Sequence, residues 1–254
     1  MWEFSLNFKS ENFEIARYVH RALMEPTTNM NGFVTSSEDN GYISILVAVN
    51  DENQDRLKAF LCSVITEIIC TKYKSDFLNK YLSLPVQDKV GLYAFKKALL
   101  NFDRETDRYI IKRSLSFKNA LYIESFYAFK LRALREKWEE LVNLSNENRE
   151  YLVSKESFID LLKFLVDNLD ICEDEISVVK EEEGYRIFAK YSNFYTDKLI
   201  SEESVVSSVI DLSPQKINLY FKESSSAINL LERIFDERVI VNKEKTNIKT
   251  FKLN

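Results

Sequence analysis

The stretch from Tyr122 to Leu169, YIESFYAFKLRALREKWEELVNLSNENREYLVSKESFIDLLKFLVDNL, decides how the rest of the chain is read. Tyr127, Leu131, Leu134, Trp138 and Leu141 recur at steps of four and three, the stripe of a helix that buries one face. Phe158, Leu162, Leu165 and Leu169 repeat the spacing, widened by Ile159, Leu161 and Val166. Ser154 stands ahead of the second run, where its hydroxyl can accept from an unpaired backbone N–H. Two such stripes predict a long helical hairpin, packed stripe on stripe.

Before this stretch the period is shorter. Trp2, Phe4, Leu6 and Phe8 alternate with Glu3, Ser5, Asn7 and Lys9, which predicts a half-buried strand. Phe13 to Leu23 follows at helical spacing, with Ser10 as cap and Pro26 as exit. Extended runs at Phe33–Ser36 and Tyr42–Val49 flank Asp39-Asn40-Gly41, a hairpin signature. A strong helix is expected from Asp55 to Tyr73, and further helices from Val86 to Phe102 and from Asp103 to Leu115. After Asp170 come two strands (Ile176–Val179, Tyr185–Phe188), a helix (Ser201–Leu212), a strand through Ile217, Leu219 and Phe221, a helix after Ser226, and a strand at Val239–Val241.

The fold class expected is α+β and helix-rich. A βαββα layer occupies 1–74, a central helical bundle with the hairpin 75–170, a small α+β layer 171–245, and a polar, frayed tail 246–254.

With 45% hydrophobic and 30% charged residues the composition is that of a globular protein. No apolar run reaches the roughly 18 residues of a membrane span, and no basic segment leads into an apolar one as in a secretory signal. Three scattered cysteines, Cys62, Cys70 and Cys172, suit a reducing compartment, so the expected location is cytoplasmic.

Catalytic patterns are missing. Four scattered glycines cannot build a phosphate-cradling loop, and the single histidine, His20, cannot supply a multi-histidine metal site. Cys62 and Cys70 lie two helical turns apart and read as core residues; Glu139, Glu140 and the Glu181–Glu183 run read as solvated charge. No cofactor, metal or catalytic residue is expected.

The charge distribution is the main functional hint. Lys96 to Lys137 holds eleven basic residues against five acids, whereas Trp138 to Leu212 holds 18 acids against seven basic residues. Lys96, Lys97, Arg104, Arg108, Lys112, Arg113, Lys118, Lys130, Arg132 and Arg135 are therefore the candidate residues for an anionic partner, interleaved with Phe95, Phe102, Tyr109 and Phe117. Internal pairing with the acidic half, or a protein partner, is the first reading of this window; nucleic acid is the alternative.

The run Phe126-Tyr127-Ala128-Phe129-Lys130-Leu131-Arg132 and the later run from Phe158 to Val166 resemble successive motifs of one family. Ile210-Asp211-Leu212-Ser213-Pro214-Gln215-Lys216-Ile217 and Ile234-Phe235-Asp236-Glu237-Arg238-Val239 resemble its closing elements in the same order. Together they resemble the YtxC-like putative sporulation proteins of endospore-forming bacteria. The resemblance implies a soluble bacterial protein tied to sporulation and carries no catalytic residue with it; the missing catalytic patterns favour a non-enzymatic interaction protein.

Overall fold

The computed structural model describes residues 1–83, 88–147, 154–189 and 199–242. The start of the helix expected from Val86 and the polar tail 246–254 lie outside these residues. The chain forms two compact units: Met1–Lys80 with Glu105–Leu141, and Tyr81–Arg104 with Val142–Asn254.

In the first unit, β1 (Trp2–Lys9) is the third strand of a mixed four-stranded sheet with β2 (Phe33–Asp39), β3 (Tyr42–Val49) and β4 (Ala120–Tyr122), in the order β2-β3-β1-β4. β2 and β3 form the expected hairpin: Asn40 and Gly41 both take positive φ (50° and 78°), the backbone a two-residue turn requires. β1 lies antiparallel to β3, so that Phe4 faces Val47, Leu6 faces Ile45 and Phe8 faces Ile43. These six side chains are almost sealed from solvent, packed in one core with α1 (Phe13–Asn29) and α2 (Gln54–Ile68). Full burial of each such side chain is worth about 1.5–3 kcal/mol.

Three features of this unit depart from expectation. α1 does not end at Pro26 but runs on to Asn29. The missing proline N–H costs one helical bond, and the last turn is held by Met30 N–H donating to Thr27 O and by Thr28 Oγ1 donating to Met24 O at 2.8 Å. Ser10 opens a one-turn 3₁₀ segment instead of capping α1. The helix beginning near Tyr122 is interrupted: a short turn α6 (Ile123–Ser125) leads into a π-helical turn, Phe126–Lys130, and Leu131 (φ −100°, ψ 32°) breaks it before α7 (Arg132–Glu147).

The remaining helices of the first unit are α3 (Lys74–Tyr81), reached from α2 through a second π turn at Ile69–Tyr73, and α5 (Arg104–Ser114).

The second unit holds α4 (Lys89–Asn101), α8 (Lys155–Asp167), α9 (Glu202–Leu212), α10 (Ser226–Phe235) and a second mixed sheet. Its strands are β5 (Glu173–Lys180), β6 (Tyr185–Ala189), β7 (Pro214–Tyr220) and β8 (Val239–Asn242), in the order β6-β5-β7-β8. Asp88 caps α4 by accepting from Val90 N–H, and Ser225 caps α10 by accepting from Ile228 N–H. Ser154 precedes α8 as expected, but its carbonyl rather than its hydroxyl takes the first helical bond, from Phe158 N–H.

The apolar stripes of the two long helices lie in the cores of the two units. Leu131, Leu134 and Trp138 are buried in the first unit's core. Phe158, Leu162 and Leu165 are buried in the second unit, where α8 packs on α10 and α4. Each stripe serves its own core because the chain passes into the second unit after Leu141. Among the described residues no helix is long and apolar enough to cross a membrane.

Gly32, which joins α1 to β2, has no room for a side chain: a Cβ there would stand 2.3 Å from Ala48 O and 2.6 Å from Val49 Cγ1. The blocking oxygen is backbone and cannot swing away. Gly32→Ala is expected to destabilise the protein by about 1–3 kcal/mol, read as a lower urea midpoint at unchanged slope.

Candidate functional site

The ten basic candidates fall into two groups. Lys96, Lys97 and Arg104 belong to the second unit, the other seven to the first. Several are engaged with neighbours in their own unit. Lys97 lies 3.1 Å from Asp211, Arg108 pairs with Glu105 at 2.6 Å, and Arg132 pairs with Glu136 one helical turn on at 2.7 Å. Arg135 donates to Ala128 O and stacks over the Tyr127 ring at 5.7 Å, so it closes the π turn from outside. Lys96 and Arg104 are half-buried.

Lys112, Arg113, Lys118 and Lys130 differ from these. All four are exposed, and none has an acidic partner among the described residues; Arg113 only reaches the hydroxyl of Tyr109, at 3.4 Å. Lys112 and Arg113 occupy the last turn of α5, where the helix dipole favours positive charge. Lys118 stands two residues ahead of β4.

The strongest electrostatic feature is buried and had no signature in the sequence. Asp107, on α5, is fully enclosed, and its carboxylate accepts from three side chains: Lys74 Nζ at 2.8 Å, Lys137 Nζ at 2.8 Å and Trp138 Nε1 at 3.1 Å. Lys74 is itself buried and lies over the Trp138 ring at 5.9 Å. Burial pushes the Lys74 pKa down, and the Asp107 carboxylate opposes that shift. These partners come from α3, α5 and α7.

The open side of the first sheet was also missed. Tyr42 and Tyr122 are 80 positions apart in the chain, yet their rings meet edge to face with centroids 5.5 Å apart. They stand on β3 and β4 at either side of β1, opposite Lys9 and Asn7 respectively.

The other sequence candidates are spread over both units. His20 is half-buried on α1, Cys62 and Cys70 lie on or just beyond α2 with Cys70 buried, and Cys172 is exposed. Glu139 and Glu140 are exposed, while Glu181 pairs with Arg186 at 2.7 Å. Among the described residues no three His, Cys, Asp or Glu side chains gather as a metal site would require. An open groove of about 430 Å³ runs along the starts of β5, β7 and β8. Within it Lys216 pairs with Glu175 at 3.1 Å and Arg238 with Asp167 at 3.0 Å.

A model of the YtxC-like family matches residues 59–240. No curated protein and no solved structure matches the chain.

Two outcomes test the buried knot. Asp107→Asn leaves Lys74 as a buried cation without its counter-charge and is expected to cost about 3–5 kcal/mol in urea denaturation. Because burial lowers the Lys74 pKa from its ordinary 10.5, the unfolded chain binds this proton more tightly, and folding gains stability as pH rises towards that value. The stability difference between wild type and Lys74→Met should therefore shift in favour of wild type as the pH rises towards 10.5.

Proposed function

Because the chain belongs to the YtxC-like family, we propose that it is a sporulation-associated cytoplasmic interaction protein that works by binding an anionic macromolecule rather than by catalysis. The observation that carries this reading is the set of exposed cations without acidic partners, Lys112, Arg113, Lys118 and Lys130. Cations that pair internally are part of the fold; cations held in water without a counter-charge are available to a partner. A negatively charged protein surface would meet them by steering and by rim pairs.

A second reading names nucleic acid as that partner. It is favoured by three of these cations falling within seven residues, Lys112, Arg113 and Lys118, and by the exposed ring of Tyr109 beside Arg113. Phosphate contacts release counterions, so such binding carries a steep salt dependence.

Binding of labelled oligonucleotides across a salt series separates the two. If nucleic acid is the partner, replacing Lys112, Arg113 and Lys118 together by Ala lowers the log–log salt slope by about two to three, at roughly 0.7–0.9 per lost phosphate contact. Replacing all three by Glu abolishes binding. If no oligonucleotide binds at low salt, the nucleic-acid reading falls and the cations are assigned to an acidic protein.

A further inference from the structure

We propose that the open face of the first unit's sheet is a seat for an unpaired base of single-stranded nucleic acid, a proposal that rests on the nucleic-acid reading of the neighbouring cations. Strand alternation divides this sheet into two unlike faces. One is the core face of Phe4, Leu6, Phe8 and their partners on β3. Strand register places on the other Ser5, Asn7 and Lys9 of β1, Tyr42, Ser44 and Leu46 of β3, Phe33 and Thr35 of β2, and Tyr122 of β4.

The centre of that face holds a polar group with an unmet valence. Asn7 is 5% exposed, and its Oδ1 accepts from Ser44 Oγ at 2.6 Å and from Ser5 Oγ at 3.4 Å. Both hydroxyls come from the same face, which fixes the amide with its oxygen occupied. Its NH₂ group has two hydrogens to donate and no acceptor among the described residues.

Half-exposed aromatic surface lies beside this donor: Tyr122 is 48% exposed, and the Tyr42–Tyr122 pair straddles β1 next to the amide. A donor beside half-exposed rings matches a nucleobase, whose ring carbonyl accepts while its flat face stacks. The charge pattern gives the backbone a place. Lys118 stands two residues ahead of β4, and Lys112 and Arg113 lie further back on α5. The face's acids, Glu3 and Asp39, lie towards the start of β1 and on the β2 edge, leaving the β4 side to the cations. Duplex bases are stacked on both sides and cannot reach the rings, so the site selects single strands.

Fluorescence anisotropy with end-labelled oligo-U, oligo-dT and a duplex of similar length, each about 20 nucleotides, tests this directly. Both single strands should bind more tightly than the duplex. Tyr122→Ala should weaken single-strand binding about five- to hundredfold, the loss of one stacked base, while Tyr122→Phe, which keeps the ring, retains it. Tyr122 is half exposed at a sheet edge, so equal melting temperatures for the three proteins are expected. Equal binding of single strands and duplex, with Tyr122→Ala indifferent and the Lys112, Arg113 and Lys118 reversals still abolishing it, would overturn the base seat and leave the cationic surface standing. Absence of all oligonucleotide binding at low salt would overturn the base seat together with the nucleic-acid reading of the cations.

Discussion

One enclosed carboxylate organises the helical part of the first unit. Asp107 accepts from Lys74, Lys137 and Trp138, and so ties α3, α5 and α7 through a single group. The arrangement brings two cations to one anion, and the Lys74 charge is stabilised only while Asp107 is in place. The chain passes from one unit to the other near Lys80, Arg104 and Leu141. Each passage falls inside one of the three helices held by that carboxylate. The knot therefore fixes, within the first unit, the helices through which the chain leaves and returns.

With these helices in place, the sheet of the same unit can afford unequal faces. One is dry, built from the aromatic and aliphatic residues of β1 and β3. The other is wet, with serines and an asparagine between tyrosines. A sheet stabilised on one face alone leaves the second free for recognition. The exposed cations gather just ahead of β4, the strand that carries Tyr122, so charge and ring come from one continuous piece of chain.

Much of this was legible in the residues. Alternation from Trp2 to Lys9 and the Asn40-Gly41 turn disclosed the first sheet, because a strand with one buried face writes its pairing into every second residue. β4 was not legible: three residues are too few for a period, and its place is dictated by β1, more than a hundred positions away. The stripe through Leu131 and Trp138 was visible, but not which core it enters, since a helix face is apolar in the same way whatever covers it. The basic window was visible as composition only. Lys97 and Lys112 look alike in sequence, yet one meets Asp211 and the other meets water. Asp107 counted as one more acid among the cations; nothing local marks a charge as buried. Asn7 reads as an ordinary wet-face residue until Ser44 and two tyrosines are brought around it.

The two π turns have a consequence for the length of the chain. Ile69–Tyr73 and Phe126–Lys130 each hold one residue more than an α-helical turn; in the second, Leu131 N–H reaches back five residues to Phe126 O. The rings of Tyr73 and Tyr127, one from each turn, lie 4.8 Å apart, so the two irregularities are neighbours in space. Removing one residue from such a turn closes it into ordinary helix and leaves the faces before and after it in phase. A deletion elsewhere in a buried helix would rotate everything downstream by about 100° relative to the core. The turn at Ile69–Tyr73, continuous with helix on both sides, is thus a point where a single residue can be removed without rewriting the packing on either side.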